Sequence, residues 1–309
     1  MRYYFAPLEG LTDVTFRRIH HTYFPGVDRY YTPFFSPTVH RALTPREARE
    51  LPPADSLNAE VIPQLLTKVA EDFLWMAQQC KDLGYQEVNL NLGCPSGTVT
   101  AKGKGSGMLR EPEVLEAFLE EIFSKCVLPI SAKTRIGFAE SAEFPRLLEI
   151  FNQYPIRELT IHPRVRTAFY KGTVNMEMFD LAMTESKNPL CYNGDITALS
   201  QVDQLQERYP RLESVMIGRG LIGDPGMLCP NGTQRETLGA YLDALLEEYL
   251  VAFGGSRNAM FRMKEHWGML IGKFENNERL AKQLRKTTDL QQFRAITQQI
   301  LQTLPMKES

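Results

Sequence analysis

The segment Gln86–Leu109, QEVNLNLGCPSGTVTAKGKGSGML, decides the fold prediction. Its first part alternates apolar and polar side chains up to Leu92, a pattern that is typical of a β-strand. Gly93 ends this strand, and Cys94-Pro95 follows in a turn. The remainder is rich in glycine and lysine and almost free of apolar side chains. We therefore expect it to be a surface loop that is free to move.

Cys94 is a candidate catalytic residue, because it stands at the end of a strand and opens a basic loop. A single cysteine is more often a small buried apolar residue, and that alternative stays open at this point. The glycine run does not form a P-loop, since the sixth residue counted from Gly97 is Lys102 and not glycine. A phosphate-binding loop of that type is excluded.

Strand-like runs alternate with amphipathic helical stretches through the first three quarters of the chain. The strand candidates are Tyr3–Ala6, Arg29–Pro33, Glu60–Leu65, Glu87–Leu92, Pro129–Thr134, Glu158–His162, Pro189–Asn193 and Ser214–Ile217. The helix candidates are Val14–His21, Lys68–Leu83, Glu113–Lys125, Ala142–Gln153, Met176–Thr184 and Ala198–Arg208. Eight strands of this kind predict an α/β fold, a (β/α)₈ TIM barrel, and an open doubly wound sheet is the alternative.

The sequence changes character after a turn cluster at Cys229–Gly232. From Thr233 to Leu304 only helical patterns occur, and we assign four helices: Leu238–Phe253, Asn258–Phe274, Asn277–Thr287 and Leu290–Leu304. We therefore predict two domains, a barrel over residues 1–230 and a small all-helical C-terminal domain over residues 231–309.

Composition places the protein among ordinary globular chains. It has 309 residues, of which 43% are hydrophobic and 23% charged. The start of the chain does not resemble a signal peptide and no apolar run is long enough for a membrane span, so we expect a cytoplasmic protein. Five cysteines without a C-x-x-C pair indicate neither a disulfide framework nor a zinc site, and the histidines show no metal-ligand spacing.

The net charge of −2 hides a basic stretch near the C-terminus. Between Arg262 and Lys286 there are 7 basic and 3 acidic residues. One interpretation is a solvated helix surface. The other is a face that contacts phosphate groups, with Lys282, Arg285 and Lys286 as its candidates.

A barrel of this kind places its active site at the C-terminal ends of its strands. Those ends carry amide, cationic or glycine groups: Ala6-Pro7, Gln64, Asn91, Cys94, Lys133, Arg135, His162, Arg164, Asn193-Gly194-Asp195 and Gly218-Arg219-Gly220. The last two ends fit a phosphate site, although two tight turns with a solvated arginine fit equally well. Lys133 needs a bound anion as a partner, and His162 taken alone is more simply a structural histidine.

These motifs together resemble the tRNA-dihydrouridine synthases, flavin enzymes that reduce specific uridines in tRNA. The resemblance rests on APLEGLTDVTFR, NLNLGCPSGTVTAKGKGSGML, SAKTRIG, IHPR, YNGDI and IGRGLIGDP, which follow in the family's order over nearly the whole chain. It implies FMN as cofactor, NADPH or NADH as reductant, tRNA as substrate and a C-terminal domain that binds tRNA. No protein partner is implied, and nothing requires more than a monomer.

The resemblance also implies roles for single residues. Cys94 would be the general acid that protonates C5 of uracil, while the reduced flavin N5 gives hydride to C6. The residues implied to bind FMN are Ala6, Pro7, Gln64, Lys133, His162, Asn193, Gly194, Asp195, Gly218 and Arg219. The residues implied to contact the uracil are Asn91 and Tyr170, and weaker candidates for the RNA side are Arg135, Arg164 and Arg166.

The chain departs from the family pattern after strand six. The usual H-G-R-T is His162-Pro163-Arg164-Val165 here, and the family's glutamine a few residues on is missing. These changes affect the expected RNA contacts of that loop more than the role of His162. Two other functions stay open: a flavin barrel oxidoreductase acting on a small molecule, and an RNA-binding protein without activity.

Overall fold

The computed structural model describes residues 1–37, 40–56 and 58–307, and a single parallel sheet dominates it. Its strands are β1 (Arg2–Phe5), β2 (Arg29–Tyr31), β3 (Glu60–Ile62), β4 (Gln64–Leu65), β5 (Val88–Leu92), β6 (Ile130–Arg135), β7 (Leu159–His162), β8 (Leu190–Asn193) and β9 (Ser214–Ile217). They lie in the order β3-β2-β1-β9-β8-β7-β6-β5-β4.

The two ends of this order meet at Pro63. Proline has no N–H and breaks the ladder there, which divides one strand into β3 and β4. The Pro63 carbonyl still accepts a hydrogen bond of 2.8 Å from the N–H of Asn89. The sheet is therefore an eight-stranded barrel in which one strand has two halves. This confirms the predicted (β/α)₈ barrel and rules out the open doubly wound sheet.

Helices surround the barrel: the six that the sequence predicts are present in that order, and three short helices at residues 45–50, 97–100 and 219–223 were not predicted. They are α1 (Val14–Tyr23), α2 (Pro45–Glu50), α3 (Ala70–Asp82), α4 (Gly97–Thr100), α5 (Pro112–Lys125), α6 (Phe144–Phe151), α7 (Met176–Glu185), α8 (Leu199–Arg208) and α9 (Arg219–Gly223). Local signals set several starts: Asp13 accepts a hydrogen bond from the N–H of Phe16, and Pro112 occupies the first turn of α5.

Four helices follow the barrel: α10 (Arg235–Phe253), α11 (Ser256–Leu270), α12 (Glu278–Lys286) and α13 (Leu290–Thr303). They bear out the all-helical C-terminal region. The exact domain boundary at residue 230 stays a prediction, and Glu308 and Ser309 lie outside the described residues.

The helical region packs against α1 through aromatic side chains. The rings of Phe16 and His266 stack with centroids 5.0 Å apart, and the Tyr249 hydroxyl donates to Asp13 at 3.2 Å. A buried ion pair of 2.7 Å between Lys273 and Asp224 joins the same region to the segment after α9. The helices are thereby held in a defined position beside the barrel.

Paired charges close the N-terminal end of the barrel. Glu87 lies 2.8 Å from Arg157 and 3.6 Å from Arg29. Glu158 accepts from the Ser214 hydroxyl at 2.8 Å and lies 3.5 Å from Arg2. Both carboxylates are buried, so their charges are balanced within the fold rather than by water.

Candidate functional site

A cavity of about 910 Å³ opens at the C-terminal ends of the strands. It has the size of an ordinary cofactor or substrate site. Fourteen of the predicted site residues line it: Ala6, Pro7, Gln64, Asn91, Cys94, Lys133, Arg135, His162, Tyr170, Asn193, Gly194, Asp195, Gly218 and Arg219. Arg164 and Arg166 are not among the lining residues.

Cys94 is held in this cavity by its own strand. The side-chain carbonyl of Asn91 accepts from the N–H groups of Gly93 at 3.1 Å and Cys94 at 2.9 Å. The Ser106 hydroxyl donates to the Cys94 carbonyl at 2.7 Å. Burial raises the pKa of the Cys94 thiol, although Arg135 and Lys133 act against it. The thiol is therefore protonated at neutral pH and suited to donate a proton.

A chain of amide side chains orients Asn91 from inside the barrel. Asn91 Nδ2 donates to Gln64 Oε1 at 2.7 Å, and Gln64 Nε2 donates to Asn89 Oδ1 at 2.8 Å. Asn89 Nδ2 then donates to the Ser131 hydroxyl at 2.9 Å. Asn89 and Ser131 support the site, although neither was predicted from the sequence. The alternation of the strand could have indicated Asn89, because it lies two residues before Asn91 and therefore on the same polar face.

The glycine-rich segment after Cys94 is folded, so the expectation of an unpacked loop was wrong. Its second half, Gly105–Arg110, forms a 3₁₀ helix and is mostly buried. A Cβ atom at Gly107 would lie 2.8 Å from the Thr100 carbonyl oxygen, and one at Gly105 would lie 3.1 Å from Cys94. Glycine is required here for close packing, which a composition argument does not reveal.

Two cations line the cavity beside Cys94 without a carboxylate partner among the described residues. Burial and the charge of Arg135 lower the pKa of Lys133 to about 8. Arg135 donates to the carbonyls of Gly93 at 2.9 Å and Val165 at 3.0 Å. Burial is also the main reason that the pKa of Arg135 falls to about 10. The cavity floor therefore carries positive charge that a bound anion would balance.

His162 lies at the end of β7 in neutral form, because burial and the charges of Lys133 and Arg135 hold its pKa well below the usual value. Arg164 donates toward its Nε2 at 3.2 Å. The Arg164 guanidinium is buried and forms a salt bridge with Asp195. This side chain therefore supports His162 and Asp195 from within the protein, and its role on the RNA side stays a prediction.

Asp195 links three parts of the cavity wall. It adopts a positive φ of 48° after β8, a conformation that aspartate tolerates better than most residues. Its carboxylate accepts from Arg164 and, at 3.0 Å, from Arg219. Arg219 is partly exposed and is held at the edge of the cavity by this contact. The expected role of Asp195 in cofactor binding stays a prediction.

Tyr170 stands at the cavity mouth and is 50% exposed. Its ring lies between two guanidinium groups, with centroid distances of 5.5 Å to Arg135 and 5.0 Å to Arg219. The His162 ring stacks near it, with centroids 6.3 Å apart. An exposed aromatic ring flanked by cations is suited to contact a planar ligand.

Arg166 lies outside the cavity, where it donates to the Thr100 hydroxyl at 3.2 Å. It thereby joins the loop after β7 to the segment that follows Cys94. The helical region also reaches the cavity, since Met269, Lys273 and Lys307 are among its lining residues. No pattern in the sequence indicated this, because the contact depends on how α11 packs against α9.

The basic stretch of the helical region lies on the surface. Four residues of α12 are exposed and form no ion pair among the described residues: Arg279, Lys282, Arg285 and Lys286. Leu280 and Leu284 on the same helix are buried and hold it in place. The helix therefore presents several unpaired cations to solvent.

In the part of the chain that the structure describes, no cluster of His, Cys, Asp or Glu is arranged to hold a metal ion. Within the same residues no helix has the length and hydropathy needed to cross a bilayer.

A sequence model described as dihydrouridine synthase (Dus) matches residues 4–306. A probable tRNA-dihydrouridine synthase 1 from Synechocystis sp. is 26% identical over 312 residues, which cover 96% of this chain and 86% of the relative. The tRNA-dihydrouridine synthase B of Pasteurella multocida is 27% identical over 72% of this chain and 67% of the relative. A solved variant of NCR from Zymomonas mobilis has a TM-score of 0.50 at 12% identity, over 78% of this chain and 87% of that chain, which supports the barrel fold.

Proposed function

The chain belongs to the dihydrouridine synthase family, and from this premise we propose that it reduces uridines of tRNA to dihydrouridine, with FMN as cofactor and NADPH or NADH as reductant. The observation that carries the proposal is the meeting of a protonated thiol, Cys94, with the unbalanced charge of Lys133 in one cavity. Such a site combines a proton donor with a binding place for an anionic ring.

The residues of the cavity fit a flavin nucleotide. Lys133 has no carboxylate partner among the described residues, so an anionic isoalloxazine ring would remove an unfavourable buried charge. Gln64 offers an amide whose orientation is fixed by Asn89 and Asn91. Arg219 and the glycines beside it supply a cation and backbone N–H groups for a phosphate. We assign the remaining cofactor contacts to Ala6, Pro7, His162, Asn193, Gly194 and Asp195.

A bound reduced flavin would supply hydride to C6 of the uracil. The thiol of Cys94 then donates its proton to C5 and leaves a thiolate, which the nearby charges of Arg135 and Lys133 stabilise. Asn91 fixes the backbone of Cys94 and keeps the sulfur in place during the transfer. Tyr170 is positioned at the mouth to contact the base as it enters.

A uridine reaches this cavity only after it leaves its stack in the RNA, at a cost of a few kcal/mol. We infer that contacts to the RNA backbone offset this cost. The exposed cations of α12 are one candidate surface. A second is the group formed by Lys68, Lys102 and Lys104, since burial first and then the charges of Lys102 and Lys68 lower the pKa of Lys104.

The proposal is tested with purified protein reduced anaerobically by NADPH and then mixed with unmodified bulk tRNA. We expect the flavin to reoxidise while dihydrouridine appears in a nucleoside mass spectrum. A flavin that stays reduced with tRNA but reoxidises with a small enone would instead assign the protein to the small-molecule oxidoreductases. Protein that binds no flavin would overturn the whole assignment.

A further inference from the structure

A row of alternating cations and aromatic rings lies outside the cavity lining, in the loops that follow β5, β6 and β7. The Arg110 guanidinium lies 4.1 Å from the centroid of the Phe138 ring. Arg166 lies 5.3 Å from Phe138 on one side and 5.0 Å from Phe169 on the other. The row therefore begins beside the segment that follows Cys94 and ends at Phe169.

Phe169 ends the row with a free ring surface, since the residue is 41% exposed. Its backbone has φ 51° and ψ −105°, a combination that bulky L-residues rarely adopt. Single exposed apolar side chains are common on protein surfaces and need no explanation. A strained backbone that presents such a ring to solvent is different, because strain of this kind concentrates at binding sites.

The position of Phe169 connects it to the proposed reaction. It immediately precedes Tyr170, which lines the cavity and contacts the guanidinium groups of Arg135 and Arg219. We propose that Phe169 is a stacking surface for an unpaired nucleobase adjacent to the uridine that enters the cavity. The inference rests on the proposed function, since it takes an RNA strand as the substrate.

The chemistry of this row of cations and rings favours a nucleobase as the ligand that stacks on Phe169. An unpaired base offers a flat surface to an aromatic ring, and the phosphates beside it interact with nearby cations. The Arg166 guanidinium lies 5.0 Å from the centroid of the Phe169 ring and adds positive charge at the same place. Phe169 thereby holds the base next to the target, which leaves the target itself displaced toward Tyr170 and Cys94.

The first test compares Phe169→Ala and Phe169→Tyr with the native enzyme. We expect the alanine variant to lower kcat/KM for tRNA by roughly 5- to 150-fold, the range for loss of one base–aromatic stack, and the tyrosine variant to restore it. Reduction of the flavin by NADPH stays unchanged, because it needs no RNA. Val127→Ala is the matched control, since Val127 is 42% exposed at the opposite end of the barrel.

The Phe169→Gly variant controls for misfolding of the alanine variant, because glycine accepts this backbone conformation without strain. It should fold at least as well as the native chain and still lose activity with tRNA. Native turnover by both the alanine and glycine variants would overturn the proposal. Slower flavin reduction would also overturn it, because the ring would then be stacking on the reductant.

The second test is direct and does not depend on turnover. In Phe169→Trp the new indole should be quenched when unmodified bulk tRNA binds, whereas Val127→Trp should not respond. An unquenched indole at saturating tRNA contradicts the stacking inference. If tRNA quenches the indole of the Phe169→Trp variant but the native protein forms no dihydrouridine, the proposed function fails while the stacking surface stands.

Discussion

Two cations at opposite ends of the barrel, Arg29 and Lys133, have opposite surroundings. At the N-terminal end Arg29 faces carboxylates, and although burial acts against it, Glu60 and Glu87 raise its pKa above the usual value. At the C-terminal end Lys133 faces no carboxylate among the described residues, and its pKa falls to about 8. The first arrangement completes the fold, whereas the second needs a ligand. The absence of a carboxylate partner therefore identifies the candidate functional site better than burial alone does.

The largest expected effect tests whether chemistry is confined to the C-terminal end. Cys94→Ala should lower dihydrouridine formation by about 100-fold or more, the usual contribution of a general acid, while the protein keeps its flavin. Cys126→Ala is the control, because Cys126 lies at the end of α5 near the opposite end of the barrel. Single-turnover reoxidation of the reduced enzyme with tRNA measures both, and equal rates for the two variants would remove Cys94 from the mechanism.

Breaking a balanced pair at the N-terminal end should cost stability instead of activity. Glu87→Gln removes a carboxylate from Arg157, which is half exposed, and from Arg29, which keeps Glu60, so we expect a loss of roughly 1 kcal/mol in the free energy of unfolding. Urea denaturation of the flavin-free protein measures this loss. Turnover per folded molecule should match the native value, and a selective loss of turnover would contradict the division between the two ends.

The same type of change at the C-terminal end should have the opposite effect on stability. Lys133→Met removes a partly buried cation that has no partner, and we expect flavin-free protein to gain roughly 1–3 kcal/mol. Activity should fall, because the site loses its charge for the cofactor. Thermal melts of flavin-free native and variant protein provide the comparison. A lower melting temperature would show that Lys133 is balanced after all.

The pH dependence of flavin binding tests this charge in the native chain. The pKa of Lys133 lies near 8 without ligand, so the side chain is protonated below pH 8 and loses its proton as the pH rises further. Binding of anionic reduced flavin above pH 8 then requires proton uptake, and affinity should fall by up to about tenfold per pH unit. Anaerobic titrations between pH 8 and 9.5 measure this. Lys133→Met should show no such slope.

The smallest expected effect extends the comparison to surface charges. Lys282→Gln on α12 removes an unpaired cation, and we expect a few-fold weaker tRNA binding with the salt slope reduced by about one. Lys125→Gln is the control, because Lys125 is paired with Glu121 at 3.0 Å. Binding isotherms at several salt concentrations distinguish them. Identical salt slopes for the two variants would mean that α12 is an ordinary solvated surface.

Much of the fold could be predicted because its signals are local. Alternation around Leu90 and the turn at Gly93 mark a strand and its end without reference to distant residues. A parallel barrel then brings all strand ends to one face, which is why residues as far apart as Ala6 and Arg219 were predicted to share a cavity. Fourteen of the sixteen predicted positions line it, although their individual roles stay proposals.

The features of the site that the sequence did not reveal share a different cause. Arg164 looks like a free cation in the sequence, but Asp195, thirty-one positions later, takes up its guanidinium. The segment after Cys94 looks flexible, but Gly107 allows it to pack against Thr100. In both cases the decisive neighbour is distant or is the backbone itself, and composition does not report either.

The sequence by itself therefore determined the alternation of strands and helices and the end of the barrel at which the candidate site residues meet, and it pointed to Cys94 as the proposed proton donor. Only the tertiary structure decided which charges are balanced, which glycines serve close packing and which aromatic ring faces solvent. Local periodicity is a property of neighbouring residues, and it can be read along the chain. Charge balance and exposure depend on partners that the fold brings together, and these exist only once the chain has folded.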